Sequence, residues 1–590
     1  MHLRTMAKTL IFGSIIAILF VFALACSADD AEAPKAPSEP KAAAAAAKAA
    51  AAKEQKDTAK QPEKPASAKV AATAAPAETA ATAAPLPTSI ARPAPTSTVE
   101  GVIVRGGHFT IGTAQPVQFL DPHRGGLANN RNAFIGLFNS LTDWGYDGLA
   151  KGEIAESWDF NVAELTMTLN LNKNVKFHNG RAMTAQDVKA SLDRIFNPDK
   201  KSYIAQYISE IESSDVVDDH TITLNLSKTS GALLSGLIDA RIVAQENMDA
   251  DNFNEHPIGT GPFQFVSYLV NDRVTLEKFP DYWETGADGR ALPYLDGVSI
   301  LTIADSTAVF TALITGIVDA YWQMTPKFVV NLDENDMTKP KAVRSHFSTN
   351  YTSFFFEMDK GIFQDARVRE GFVRAMDRQG IVDAGYEGLA QANWSNANFP
   401  PNGPFTNPNI QELPQDTELA KKLFKEAGVS SLRGLFTSSN AEFRPMSLVF
   451  QESLAKAGVD LTVELIPLET WFGYISSFRT KPWRDDDSFA PNIRFLPPEP
   501  SRAITGWECG NHFASGWCSE EMDKWSQAGR AAMENDDRRE AYYKYQEVYQ
   551  PLYPAFNCCW RPNFHGESRS LNGLRDLFGN FKYTEAWLSD

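Results

Sequence analysis

Between residues 27 and 100 the chain has no glycine and no aromatic residue, and its only large aliphatic side chains there are Val70, Leu86, Ile90 and Val99. Such a segment buries too little apolar surface to offset the entropy of ordering it, which excludes a folded domain from this stretch. Histidine is scarce as well: nine in 590 residues, scattered without metal-ligand spacing. No HExxH zinc motif, no GxxxxGK[ST] phosphate loop and no GxSxG nucleophile elbow occurs, so those catalytic and cofactor classes have no anchor here. Positive charge is in deficit. From residue 101 onward 45 basic residues face 64 acidic ones, a net charge of −19. That balance disfavours nucleic acid and anionic lipid as partners, since both reward Lys and Arg. No apolar run beyond the N-terminal region reaches the roughly 18 residues that a spanning helix requires.

What is present begins with Arg4 and Lys8, followed by the uncharged run TLIFGSIIAILFVFALA at 9–25. A basic start followed by an apolar core is the layout of a secretory signal. It ends in Ala23-Leu24-Ala25-Cys26, which resembles the bacterial lipobox, although the usual Leu three places before the cysteine is replaced by Ala23. Cys26 is therefore the expected lipidation site and residues 1–25 the expected signal peptide. Residues 27–100 contain 28 Ala and 10 Pro. As a flexible coil they reach about 45–50 Å, so 26–104 reads as a lipidated tether. Four cysteines remain: Cys509, Cys518, Cys558 and Cys559. Four cysteines allow three pairings. The short loop WECGNHFASGWC makes a local Cys509–Cys518 bridge the favoured one, as a staple and not a redox or metal site.

The 490 residues of 101–590 are too many for one ordinary domain and predict two or three. Strand and helix patterns alternate, which points to a mixed α/β or α+β body. Leu165, Met167, Leu169 and Leu171 alternate with polar residues, the period of a half-buried strand. The run 184–187 (Thr-Ala-Gln-Asp) is a capping-box-like start, with Val188, Leu192 and Ile195 on one helical face. Residues 221–226 read as a second alternating strand. Asp365 is placed to cap a helix bearing Val368, Phe372 and Met376. Helices over 418–428 and 446–457 stop at Gly428 and Gly458, and 459–465 alternates as a strand. No repeat of 20–50 residues is found.

Six blocks in order resemble the family 5 solute-binding proteins of ABC importers, the peptide and nickel receptors. They are IAESWDF with LTMTLNLNKNVKFHNGRAMTAQDVKASLDRI (154–195), PIGTGPFQFVSYLVNDRVTLEKFPDYW (257–283), LDGVSILTIADSTAVFTALITGIVDA (295–320), FQDARVREGFVRAMDRQGIV (363–382), ELAKKLFKEAG (418–428) and GWCSEEMDKW (516–525). The resemblance runs from about 105 to 590. It implies a two-lobed, periplasmic-binding-protein-like fold with a hinged cleft and three domains. The first would comprise 105–145, 257–349 and the C-terminal return 566–590. The second would be 146–256 and the third 350–565. It implies a monomeric receptor, with neither cofactor nor metal nor catalytic centre. The receptor would pass a peptide, or else a nickel chelate, sugar or other small solute, to permease and ATPase subunits. An envelope receptor that signals or scaffolds is the rival from another class.

The resemblance also suggests where ligand contacts lie. Leu120-Asp121-Pro122 occupies the place of an early family segment near the cleft, and Trp394 lies in an Asn-rich loop often brought to the ligand. Peptide receptors usually carry a Trp- or Gly-rich strand followed by an Asp that pairs with the peptide amino terminus. This chain has Trp483, Arg484, Asp485, Asp486 and Asp487 in that region. One of these carboxylates would take an ammonium group by a charge-assisted bond, or the three form a solvated acidic turn. Trp507 and Trp517 flank the proposed bridge, either lining the cleft or packing. His178 reads as structural, and the GTG at 259–261 as a tight turn.

Overall fold

The computed structural model describes residues 102–590 except 125–127, 334, 345–349, 359, 402, 439–440, 468–469, 471–487, 496–497, 511–516, 562, 578–579 and 590. These residues belong to one compact unit, 84–590. Cys26 and the tether lie outside the described residues, as do Trp483, Arg484, Asp485, Asp486 and Asp487. Among the described residues no helix is long and apolar enough to cross a membrane.

Three sheets carry the architecture. The first has seven strands in the order β12-β19-β11-β1-β10-β9-β8. Its members are β1 (His108–Thr113), β8 (Phe263–Leu269), β9 (Arg273–Lys278), β10 (Gly297–Thr302), β11 (Ala320–Tyr321), β12 (Lys341–Arg344) and β19 (Phe564–Glu567). β1 lies parallel to β10 and β11, and the other pairings are antiparallel. Phe109, Ile111, Leu120, Phe134, Phe138 and Tyr583 form part of the core against this sheet.

Between β1 and β8 the chain builds a hairpin, β2 (Thr142–Trp144) with β3 (Ala150–Gly152), and then a four-stranded antiparallel sheet. That sheet contains β4 (Ala155–Asn161), β5 (Thr166–Leu171), β6 (Ile211–Asp218) and β7 (Thr221–Leu226), in the order β4-β5-β7-β6. Met167, Leu169 and Leu171 point inward beside Ile222, Leu224 and Leu226, so the period-two pattern of both strands is spent on one aliphatic core. The helix Ala185–Phe196 starts with a capping box in which Thr184 and Asp187 satisfy each other's backbone donors. Its Val188, Leu192 and Ile195 are buried against the sheet.

The third sheet has six strands, β14-β18-β13-β17-β15-β16. They are β13 (Asn350–Phe356), β14 (Gln391–Ala392), β15 (Ser431–Thr437), β16 (Asp460–Ile466), β17 (Ser488–Phe495) and β18 (Ala555–Arg561). One face packs on the helices Ala366–Ala375, Arg378–Tyr386 and Phe443–Lys456 through an aromatic cluster. Phe354 sits 4.5 Å from Phe450 between ring centroids and within 6.4 Å of Phe436, Phe443, Phe489 and Phe556. Asp365 caps its helix by accepting from Arg367 N at 2.9 Å, and the helix Thr417–Ala427 ends at Gly428 with φ 73°. That positive φ is one glycine adopts without steric cost.

Two lobes result. The first comprises the seven- and four-stranded sheets, and the second the six-stranded sheet with its helices. The chain passes between them from β12 to β13 and back from β18 to β19. β12 pairs with β19 in the first lobe and β13 pairs with β18 in the second, both antiparallel, so the same two segments are paired on each side of the boundary. Asn350 donates to Asn563 at 2.6 Å beside the crossing.

Candidate interlobe binding site

The lobes touch at two glycine-bearing turns of the first lobe. The tip of the β2–β3 hairpin reaches the second lobe, where Leu149 packs on the aromatic core. At the tip Gly148 has φ 78°, and a Cβ there would lie 2.9 Å from Pro498 Cβ and 3.3 Å from Pro404 Cδ. Only glycine satisfies both the backbone and the approach. The second contact joins Gly231 and Ala232 to the end of the helix Glu520–Ala531. Ala232 N–H donates to the Arg530 carbonyl at 3.4 Å, and a Cβ on Gly231 would meet the Ala532 carbonyl oxygen at 2.1 Å.

Charge gathers beside these contacts. Glu508 accepts from Ser526 Oγ at 2.5 Å and from Arg530 at 3.0 Å. Burial pushes its carboxyl above the ordinary value, while Arg530 and, from the first lobe, Lys228 pull the other way. The base of the hairpin is held by Lys582, 2.9 Å from Asp143, which also meets Lys151 at 3.8 Å. Next to it Glu153 accepts from Asn139 and Ser140, and burial pushes it up to about 7 against the pull of Lys582.

The residues singled out from sequence fall unevenly around this boundary. Leu120 is inside the core of the seven-stranded sheet. Asp121 is buried too, its two oxygens 2.9 and 2.8 Å from the Arg194 guanidinium, and it accepts from His123 N at 3.0 Å. Burial raises the Asp121 carboxyl, but Arg194 and His123 outweigh it and hold it below the usual range. His123 accepts from Arg194 at Nδ1 and donates from Nε2 to the Arg241 carbonyl at 2.7 Å, and burial drops it to about 4, so it is neutral. Asp121 thus ties the loop after β1 to the neighbouring helix, with its oxygens already engaged. His178 is half-buried, and desolvation pulls it down to about 4, held between the Gly259 and Gly261 backbones.

In the second lobe Trp394 is half-buried, its ring 5.8 Å from the Arg378 guanidinium. Trp507 is buried edge-on to Phe355 at 5.2 Å and 6.1 Å from Tyr549. A disulfide joins Cys509 and Cys518, and Cys509 N donates to Asp523 at 3.1 Å. Strand β17 begins at Ser488, directly after Asp485, Asp486 and Asp487, which lie outside the described residues. The acid that does follow it, Glu499, is fully buried, ion-paired with Arg538 and accepting from Tyr542 at 3.1 Å. Lys228, Glu508, Arg530 and the two glycines were not singled out in the sequence. The YDGL turn signals a hairpin, but nothing local signals what its tip touches. A cavity of about 160 Å³ is lined by Leu192, Phe196, Ile211, Glu212 and their neighbours, all from the four-stranded sheet and its helix, with no residue of the second lobe.

Comparison with known proteins places this geometry. Residues 150–490 match the bacterial extracellular solute-binding proteins, family 5. The glutathione-binding protein of Pectobacterium atrosepticum is 27% identical over 380 residues, 62% of this chain and 68% of that protein. The crystal structure of the ABC transporter substrate-binding protein CtaP from Listeria monocytogenes superposes with a TM-score of 0.73 at 20% identity, covering 82% of this chain and 100% of that one. DppA of Helicobacter pylori, in complex with the peptide STSA, superposes at 0.66 with 21% identity over 82% of this chain and 99% of that one. These structural likenesses concern the fold, that of periplasmic binding proteins of the peptide-receptor type. The chain belongs to the bacterial extracellular solute-binding proteins of family 5.

Proposed function

We propose that this protein is the receptor of an ABC importer, tethered in the envelope through lipid on Cys26, and that it captures a short peptide or peptide-like solute between its lobes for delivery to a permease. The observation that carries the reading is the lobe boundary. Two lobes joined by two crossings and touching, among the described residues, through the turns at Gly148 and Gly231 would form a cleft able to open and shut around a ligand. The peptide class is supported by the relatives, one a glutathione-binding protein and one in complex with a tetrapeptide. Strand membership is compatible with three domains at the expected bounds 105–145, 146–256, 257–349, 350–565 and 566–590, except that the β2–β3 hairpin spans the 145/146 bound and β19 pairs in the first sheet from Phe564, which favours ending the third domain at 563. Trp394 and the segment 483–487 remain proposed ligand neighbours. Leu120, Asp121 and Trp507, buried within their lobes, would act by shaping the walls.

Native mass spectrometry of the full exported chain, followed by calorimetry with glutathione and di- to tetrapeptides, tests the reading. Stoichiometric binding of one peptide is expected. Turnover of the ligand, or exclusive binding of a sugar or metal chelate, would overturn it.

A further inference from the structure

The cavity of about 160 Å³ in the first lobe lies between the last turn of the helix Ala185–Phe196 and β6, an edge of the four-stranded sheet. A space of this size holds a small carbon ring, since an apolar cavity of roughly 150 Å³ takes up benzene. A bulge shapes it. Against β7, Ile211 lies opposite Leu226 and Ser213 opposite Asn225, so Glu212 is the extra residue. Bulges on edge strands re-aim side chains. Here Ile211 and Ser214 are both buried, and Glu212 and Ser213 between them are exposed.

Leu192 and Phe196 from the helix and Ile211 from the strand give the cavity an apolar wall. Ser214 interrupts it. This serine is 3% exposed, lines the cavity, and has a hydroxyl with no hydrogen-bond partner among the described residues. Leaving a buried hydroxyl unpaired costs free energy that a polar group in the cavity would recover. The neighbouring amide of Asn225 is not that group, because it donates on the exposed face to Ser213 at 2.9 Å and Asp215 at 2.7 Å.

The charge around the cavity has one dominant sign. Asp193 and Glu212 both line it, and the helix ends there with the negative pole of its dipole. Lys189 meets Asp193 at 3.1 Å. The other cations of this helix end are held elsewhere: Arg194 by Asp121 and Asp249, and Lys200 by Asp249 at 2.7 Å. A cationic guest is therefore favoured over an anionic one, and the apolar wall asks that it carry hydrocarbon.

We propose that this cavity is a second binding site, separate from the interlobe cleft, for a small organic ammonium ion with an apolar body. The ammonium group donates to Ser214 Oγ in the field of Asp193, Glu212 and the helix end. Its carbon ring rests on Leu192, Phe196 and Ile211. Nothing in this assignment depends on what the lobes capture between them, so either reading can fail alone.

The test titrates cyclohexylammonium into the full chain by calorimetry at neutral pH, with cyclohexanol as the uncharged control. One equivalent of the amine is expected to bind, at least tenfold more tightly than the alcohol. Glu212→Lys, at an exposed position, should weaken the amine about tenfold. Ser214→Ala should weaken it about fivefold, the worth of one hydrogen bond, while leaving the amine-free melting temperature unchanged or higher, since it removes an unpaired hydroxyl. Absence of binding, or equal affinity for the alcohol, would overturn the proposal. Unchanged affinity in both variants would do so too, by placing the amine elsewhere on the protein.

Discussion

Two buried arginines, one in each lobe, are compensated in opposite ways. In the first, Arg194 is gripped by both oxygens of Asp121 and touches His123, so the charge is compensated where it is formed. In the second, Arg378 has no carboxylate beside it among the described residues. It lies 5.8 Å from the Trp394 ring and 5.2 Å from that of Phe556, and burial pulls it down to about 10. The first arrangement is a clamp between two elements, and removing one jaw strands the other. The second is a cation held by ring faces, a weaker and less directional hold. Burial of an arginine thus means different things at these two positions, and substitutions separate them.

The largest effect is expected from Asp121→Ala, which leaves Arg194 charged and unpaired inside the first lobe. A loss of about 3–5 kcal/mol is expected in urea unfolding; a loss under about 1 kcal/mol would show that Asp249, 3.4 Å from Arg194, suffices as partner.

The comparison sharpens at His565, a first-lobe cation with carboxylates on both sides, Glu567 at 2.7 Å and Asp576 at 3.1 Å. Burial alone would lower this imidazole, but the two acids hold it at about 9. Because the folded value lies above the unfolded one, its contribution is complete below pH ~6.5 and is lost as pH rises through ~9. The slope integrates to about 3 kcal/mol. Unfolding curves between these limits should show that slope, and His565→Gln should flatten it.

A smaller effect probes where the lobes meet. Gly148→Val places a branched side chain against Pro498 and Pro404 while leaving each lobe's interior untouched. The positive φ should cost the ligand-free fold about 1–2 kcal/mol, a loss shared by Gly148→Ala, and the added bulk of valine should lower ligand affinity by about a further tenfold, near 1.4 kcal/mol. Equal affinities for the alanine and valine variants would show that bulk at this contact does not reach the ligand. The smallest change is expected for Arg378→Met. Replacing a buried cation that lacks a carboxylate by a side chain of similar reach should leave unfolding free energy within about 1 kcal/mol of the parent. A loss of 3 kcal/mol would put Arg378 in the same class as Arg194.

Much of the fold was readable because its signals are local. The alternation of 165–171 and 221–226, the Thr184–Asp187 box and the stops at Gly428 and Gly458 each occupy a few consecutive residues, and the strands and helices stand there. The site was less readable because its contacts join distant parts of the chain. Glu499 and Arg538 pair across 39 residues, and Gly148 meets Pro498. Neither partner carries a mark in its own neighbourhood. The acidic run 485–487 drew notice by composition, whereas its position before β17 depends on where pairing with β13 begins, at Phe489. The bulge at Glu212 is also hidden from pattern reading, since it arises from a register shift that only the partner strand defines.

The twin crossings set what kind of motion the protein can perform. A single covalent link between two bodies permits bending, twisting and swivelling alike. Two links, flanked by strand pairs in both lobes and by Asn350 donating to Asn563, would behave like the paired knuckles of a door. Bending about the line through both would be cheap, and twist or swivel would stretch one link against the other. On the proposed capture of a ligand between them, the lobes would then search an arc instead of a solid angle, and less orientational freedom would be forfeited on shutting.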